Sequence, residues 1–158
     1  MQEDLGDFAA VVLGITLDDK IPVVRDPEKK DPPLYKYPGG TRKKKQKGEI
    51  RRETPEQCAR REYFEETGID LDVVHPDPLP LIEKEKREGP GPKHMFYVFF
   101  ADLRVYSNML TLASRGQEGE EIGLFTPAQI LGSQDFLRGQ KRLTRNKLNE
   151  LNWRNCAA

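Results

Sequence analysis

The sequence predicts an α/β protein, an α/β/α sandwich whose mixed, largely antiparallel sheet lies between helices. Three observations carry this. Several apolar, β-branched or aromatic runs have strand length. One helix between them has a start and a stop signal. A long, basic, amphipathic segment closes the chain. Strands on both sides of a central helix, followed by a terminal helix, are expected to pack as a sheet between helical layers.

The elements follow in order. Residues 8–17 (FAAVVLGITL) read as a buried strand, and residues 20–25 (KIPVVR) as its hairpin partner across an Asp18-Asp19 turn. Residues 26–33 are charged and proline-rich, hence loop. Residues 34–37 (LYKY) alternate like a short strand that ends at Pro38-Gly39-Gly40. A helix is expected over 55–67: Thr54 is a good N-cap, Pro55 suits the first helical position, Gln57 completes a capping box, and Gly68 suits a left-handed cap. Residues 69–74, 79–84 and 94–105 read as strands, with Gly89-Pro90-Gly91-Pro92 as a turn between the last two. A short strand over 122–125, a short helix over 126–131 and a helix over 135–154 complete the chain. The last buries Phe136, Leu137, Leu143, Leu148 and Leu151, and Trp153 anchors it.

The 158 residues suit one domain, 1–158, and 36% apolar content allows a modest core. No signal peptide is visible, and no apolar run approaches the ~18 residues of a membrane span. A soluble cytoplasmic protein without membrane contact is expected. Cys58 and Cys156 are far apart and lack metal-ligand spacing, which reads as two free thiols in a reduced compartment. The formal net charge is zero, but it is unevenly spread. Residues 41–52 hold seven basic side chains and one acid, net +6; residues 53–72 hold seven acids and two arginines, net −5.

Glu62, Glu65 and Glu66 are spaced three and four apart, so a helix sets them on one face. Like charges so placed repel by roughly 0.2–0.5 kcal/mol per pair in an isolated helix. A hard divalent cation reverses that sign, because Mg²⁺ takes carboxylate oxygens, waters and substrate phosphates. The plain alternative is a solvated acidic face. The surroundings decide between them. Glu53 is followed by seven residues, then Arg61-Glu62-Tyr63-Phe64-Glu65-Glu66-Thr67-Gly68-Ile69. By residue frequencies such a match in a chain this long arises by chance on the order of once in 10⁵.

This stretch, from Gly40 to Ile69, resembles the Nudix box, and Tyr37-Pro38-Gly39-Gly40 resembles the family's lead-in. One departure stands out. The family places its glycine five residues before the first glutamate. Here twelve residues separate Gly40 from Glu53, an insertion of about seven over the basic stretch.

The resemblance implies a Mg²⁺-dependent hydrolase, with Mn²⁺ as an alternative metal, that cleaves a diphosphate linkage in a nucleoside diphosphate derivative or nucleoside triphosphate. It implies Glu65 and Glu66 as metal ligands, Glu62 as a further ligand or the base that activates water, and the Gly39 carbonyl as an extra ligand. Glu53 and Arg61 would organise the box. Many members use a late acid, here Glu118 first, with Glu120 and Glu121 as alternatives. In the basic stretch, Arg42, Lys43, Lys44 and Lys45 read as a clamp on substrate phosphates, as a contact to RNA, or as a plain solvated loop.

His94 is expected to be structural, and Tyr35, Tyr37 and Phe96 to pack rather than stack on a base. Two rival functions remain open: an RNA 5′-end pyrophosphohydrolase, and a non-catalytic Nudix-fold domain that binds nucleotide. Homodimerisation also stays open. The proline that marks many ADP-ribose hydrolases of the family is replaced by Lys84, and Glu85, Lys86 and Arg87 stand where diadenosine polyphosphate hydrolases carry a tyrosine.

Overall fold

A computed structural model of the chain describes residues 7–16, 18–28, 33–42, 45–46, 49–50, 53–89 and 91–151. In chain order the strands and helices are β1 (Phe8–Ile15), β2 (Ile21–Arg25), β3 (Gly39–Arg42), β4 (Lys45–Gln46), β5 (Glu49–Ile50), α1 (Pro55–Thr67), α2 (Leu71–Val74), β6 (Leu81–Gly89), β7 (Gly91–Asp102), β8 (Glu121–Phe125), α3 (Pro127–Gly132) and α4 (Arg138–Leu151). A 3₁₀ helix, Arg104–Met109, follows β7.

β1 carries no polar side chain because both of its faces are covered. Its even positions Phe8, Ala10 and Val12 meet Cys58, Ala59 and Tyr63 of α1 in one buried cluster. Its odd positions Val11, Leu13 and Ile15 meet Ile130 of α3, Leu143 of α4 and Phe136, which precedes α4, in a second. This is the period-two alternation of a strand expressed on two buried faces. β7 repeats it, with Tyr97, Phe99 and Ala101 in the first cluster and Phe96, Val98 and Phe100 in the second. The result is the expected sandwich of helix, mixed sheet and helix. Fully burying each large aliphatic side chain in these layers contributes roughly 1.5–3 kcal/mol.

The main sheet has the order β3-β1-β7-β6, with β1 parallel to β7 and the other pairs antiparallel. This pairing corrects the hairpin expected between β1 and β2. The turn itself is present: Thr16 N–H donates to the Lys20 carbonyl at 2.9 Å, and Asp19 has φ 55°. β7 takes one edge of β1 along Phe8–Ile15, and β3 takes the other at Phe8–Val11. β2 pairs with β8 instead, in antiparallel register from Ile21 with Phe125 to Arg25 with Glu121.

Other differences have equally local causes. Residues 69–74 form no strand; α2 starts there, because the Asp70 side chain accepts from Asp72 N–H and caps a turn that buries Leu71 and Val74. Residues 34–37 contribute only single bridges, Val24 with Lys36 and Tyr35 with Phe136. Gly39 and Gly40, read as the end of a strand, begin β3. The basic stretch is not wholly loop, since β4 and β5 pair antiparallel within it. α4 starts at Arg138, after Phe136, and Trp153 and Cys156 lie outside the described residues. Among the described residues, no helix is long and apolar enough to cross a membrane.

α1 is held at both ends. Thr54 and Gln57 exchange reciprocal hydrogen bonds, Gln57 N–H to Thr54 Oγ1 at 3.1 Å and Thr54 N–H to Gln57 Oε1 at 2.9 Å. Such a cap contributes about 1 kcal/mol. Gly68 ends the helix with φ 82°, where its N–H donates to the Phe64 carbonyl.

Candidate active site

α1 lies against β1 and β3, and its carboxylate face meets the glycine pair. A Cβ on Gly39 would lie 2.2 Å from the Ala10 carbonyl oxygen, so only glycine lets β3 approach β1 here. A Cβ on Gly40 would lie 2.4 Å from the Glu62 Cδ, so only glycine leaves room for that carboxylate. Gly39 N–H donates to Glu66 Oε1 at 2.8 Å. The pair thus seats two of the three glutamates.

Glu66 is 7% exposed. Burial pushes its carboxyl up to about 8, against the Gly39 N–H and the charge of Lys36, with Glu62 and Glu120 adding to the rise. The Glu62 carboxyl is also raised, by burial first; Arg61 opposes this, while Glu65 and Glu118 add to it. These groups sit in a local excess of negative charge that a cation would relieve.

Arg61 gathers the rest. Its Nε and Nη2 grip Glu53 in a two-point fork, 2.7 and 2.9 Å long, and its Nη1 reaches Glu62 Oε1 at 3.0 Å and Glu65 Oε2 at 3.2 Å. The ion pair with Glu53, the largest cause, holds the guanidinium firmly charged. Cys58 lies beneath this fork, where burial pushes its thiol up to about 12 and leaves it a poor nucleophile at neutral pH.

The loop before β8 is tied to α1. Ala113 N–H donates to the Thr67 carbonyl at 2.9 Å, and Gln117 N–H to the Glu65 carbonyl at 2.8 Å. Glu118 and Glu120 thereby line the same cleft as Glu62, Glu65 and Glu66, a space of about 450 Å³. Glu121 does not line it; its carboxylate pairs with Arg25 across the β2–β8 ladder.

Of the expected basic clamp, Lys43 and Lys44 lie outside the described residues, as does the Lys45 side chain. Arg42 differs from the expectation. It is 3% exposed, with its guanidinium 4.5 Å above the Phe8 ring and its Nη1 donating to the Glu53 carbonyl at 3.3 Å. That leaves little surface to offer a phosphate.

Sequence reasoning missed three charged cleft residues: Asp26, Glu28 and Lys36. The alternation of residues 34–37 carried a signal for Lys36, since its neighbour Tyr37 is wholly buried and successive strand residues face opposite ways. Asp26 and Glu28 had none, because only the path of the chain beyond β2 brings them in.

The donor set is all oxygen, carboxylates with a nearby backbone carbonyl, which suits a hard cation such as Mg²⁺ rather than a soft one. Among the described residues, no three acidic, histidine or cysteine side chains already converge as a closed cage. An open half-site, completed by waters and phosphate oxygens, is the ordinary arrangement for Mg²⁺.

This fold, with a glycine pair facing a helix of three glutamates, defines a class that comparison with known proteins identifies. A family model described as the NUDIX domain matches residues 7–146, and the chain belongs to the Nudix family, whose members are hydrolases. No curated protein matches it in sequence. Among solved structures it resembles the MutT protein of Methanosarcina mazei Go1, with 16% identity, 96% of this chain and 99% of that one covered, and a TM-score of 0.68. It also resembles the E. coli ORF135 protein, with 19% identity, 98% and 97% covered and a TM-score of 0.63. A NUDIX hydrolase from Nitrosomonas europaea follows at 16% identity, 92% and 89% covered and 0.63. At these identities the likeness establishes the fold.

Proposed function

We propose that the chain is a Mg²⁺-dependent pyrophosphohydrolase, cleaving the diphosphate linkage of a nucleoside triphosphate or nucleoside diphosphate derivative. The observation that carries this reading is the seating of Glu62 and Glu66 against Gly40 and Gly39, within a cleft also lined by Glu65. A carboxylate face of this kind repels itself and gains from a divalent cation.

Glu65 and Glu66, with the Gly39 carbonyl, would hold Mg²⁺, or Mn²⁺ in its place. Bound there, the cation would neutralise charge building on the phosphate oxygens and acidify a water. Water attacks one phosphorus, the bond from the bridging oxygen to that phosphorus breaks, and two phosphate-bearing fragments leave. Glu62 serves as a further ligand or takes the proton of the attacking water; its raised affinity for a proton suits the second role. Arg61 and Glu53 fix the carboxylates in position. Glu118 or Glu120 supplies the late acid.

The test is a panel of nucleoside triphosphates, nucleotide sugars, dinucleotides and triphosphorylated RNA, assayed with and without Mg²⁺ beside Glu66→Gln. Metal-dependent release of phosphate-bearing products, lost by several orders of magnitude in the variant, is the expected result. Ligand binding without turnover in both proteins would sink the proposal and leave a nucleotide-binding domain.

A further inference from the structure

Among the described residues seven acids line the cleft, and a substrate carrying a diphosphate is itself an anion. Divalent cations held by Glu65 and Glu66 would offset part of this on the α1 side. A protein cation beside the substrate would offset more of it, and the described cations near the cleft are almost all engaged. Arg61 is shared among Glu53, Glu62 and Glu65. Arg25 pairs with Glu121 and lies over the Tyr35 ring. Arg42 is buried over Phe8.

Lys36 is the exception. It is the one basic residue among those described that lines the cleft. Its backbone is fixed to Val24 by two hydrogen bonds, since its N–H donates to the Val24 carbonyl and its carbonyl accepts from Val24 N–H, each at 2.9 Å. The next residue, Tyr37, is anchored in the core: its N–H donates to Gln140 Oε1 at 2.7 Å and its hydroxyl bonds Thr144. Lys36 therefore stands on a rigid base. Among the described residues its ammonium pairs with no carboxylate, despite the acids that share the cleft; its field reaches Glu66 without an ion pair.

We propose that Lys36 is a substrate-binding residue that contacts a phosphate oxygen of the anionic substrate. An ammonium on a flexible stem is a mobile point charge, suited to phosphate rather than to planar carboxylate recognition. This rests on the hydrolase reading for the identity of the substrate, though the anion site itself does not.

The test therefore has two arms. The first measures binding of methylenediphosphonate, a diphosphate analogue whose bridging carbon cannot be hydrolysed, by calorimetry in Mg²⁺. Lys36→Met should weaken it about tenfold, Lys36→Arg should stay within about threefold of the parent, and the difference should shrink as salt rises. The second arm takes any substrate turned over by the parent protein: Lys36→Met should raise KM about tenfold while kcat stays within about threefold. Loss of kcat at unchanged KM would overturn the proposal and make Lys36 a group that acts through Glu66. Unchanged analogue binding in Lys36→Met, or no binding by the parent, would overturn it as well. Lys36-dependent binding without any turnover would keep the anion site and end the hydrolase reading instead.

Discussion

The backbone amide of Gly39 and the carboxylate of Glu66 stand 2.8 Å apart, joining β3 to α1 where the cleft is deepest in carboxylates. The hydrogen bond favours the ionised carboxylate, yet burial outweighs it and lifts the group to about 8. The folded protein therefore holds this proton more tightly than the unfolded chain, whose glutamates titrate near 4.5. Below that pH both states are protonated and Glu66 costs nothing. Between about 4.5 and about 8, stability falls as pH rises. In chelator, the melting temperature should decline across this window by several degrees, and Glu66→Gln should flatten the decline and melt higher than the parent at pH 8. Mg²⁺ should raise the melting temperature of the parent far more than that of the variant.

The two glycines should fail in different ways. At Gly39 an added methyl meets the backbone of β1, which cannot yield, so Gly39→Ala should lower the melting temperature sharply. At Gly40 it meets only the end of the Glu62 side chain, which can swing away. Gly40→Ala should fold with a melting temperature near the parent and lose most of its turnover, through the displaced carboxylate. Thermal scans beside initial rates distinguish the two.

Arg61 cannot be replaced by lysine without loss, because its planar fork holds Glu53 at two points while a third nitrogen reaches Glu62 and Glu65. Arg61→Lys and Glu53→Gln should each lower kcat at least tenfold. The double variant should be little worse than either, since both remove one linkage. Additive losses would show that the two residues act separately.

Glu118→Gln and Glu120→Gln are the informative substitutions in the loop before β8, because both side chains line the cleft. One of them should lower turnover by 10-fold or more at saturating substrate. Glu121→Gln should leave turnover within about threefold, since its partner is Arg25 on β2, a partly exposed pair of the kind that contributes about 1 kcal/mol or less.

Gln140 links α4 to the segment that carries the glycine pair, by accepting from the buried N–H of Tyr37. Gln140→Met keeps most of the volume and orphans that donor, at a cost of about 1–3 kcal/mol. Chemical denaturation should show that loss. An unchanged midpoint would mean that Tyr37 finds another acceptor.

What the sequence determined by itself was local. Thr54, Pro55, Gln57 and Gly68 mark both ends of α1 because caps depend on neighbours within a few residues. The shared face of Glu62, Glu65 and Glu66 follows from the helical period alone. The resemblance to the family is carried by that same short stretch, and the two-faced burial of β1 is written in its unbroken apolar run. Tertiary structure alone decided who pairs with whom. β2 pairs with β8 and not with its neighbour β1, a choice between strands about a hundred residues apart that no local pattern records. The same closure drew Asp26, Glu28 and Lys36 into the cleft and folded Arg42 over Phe8. It also set Glu118 and Glu120 apart from Glu121, three acids alike in sequence and distinguished only by which way the chain faces when it joins the sheet.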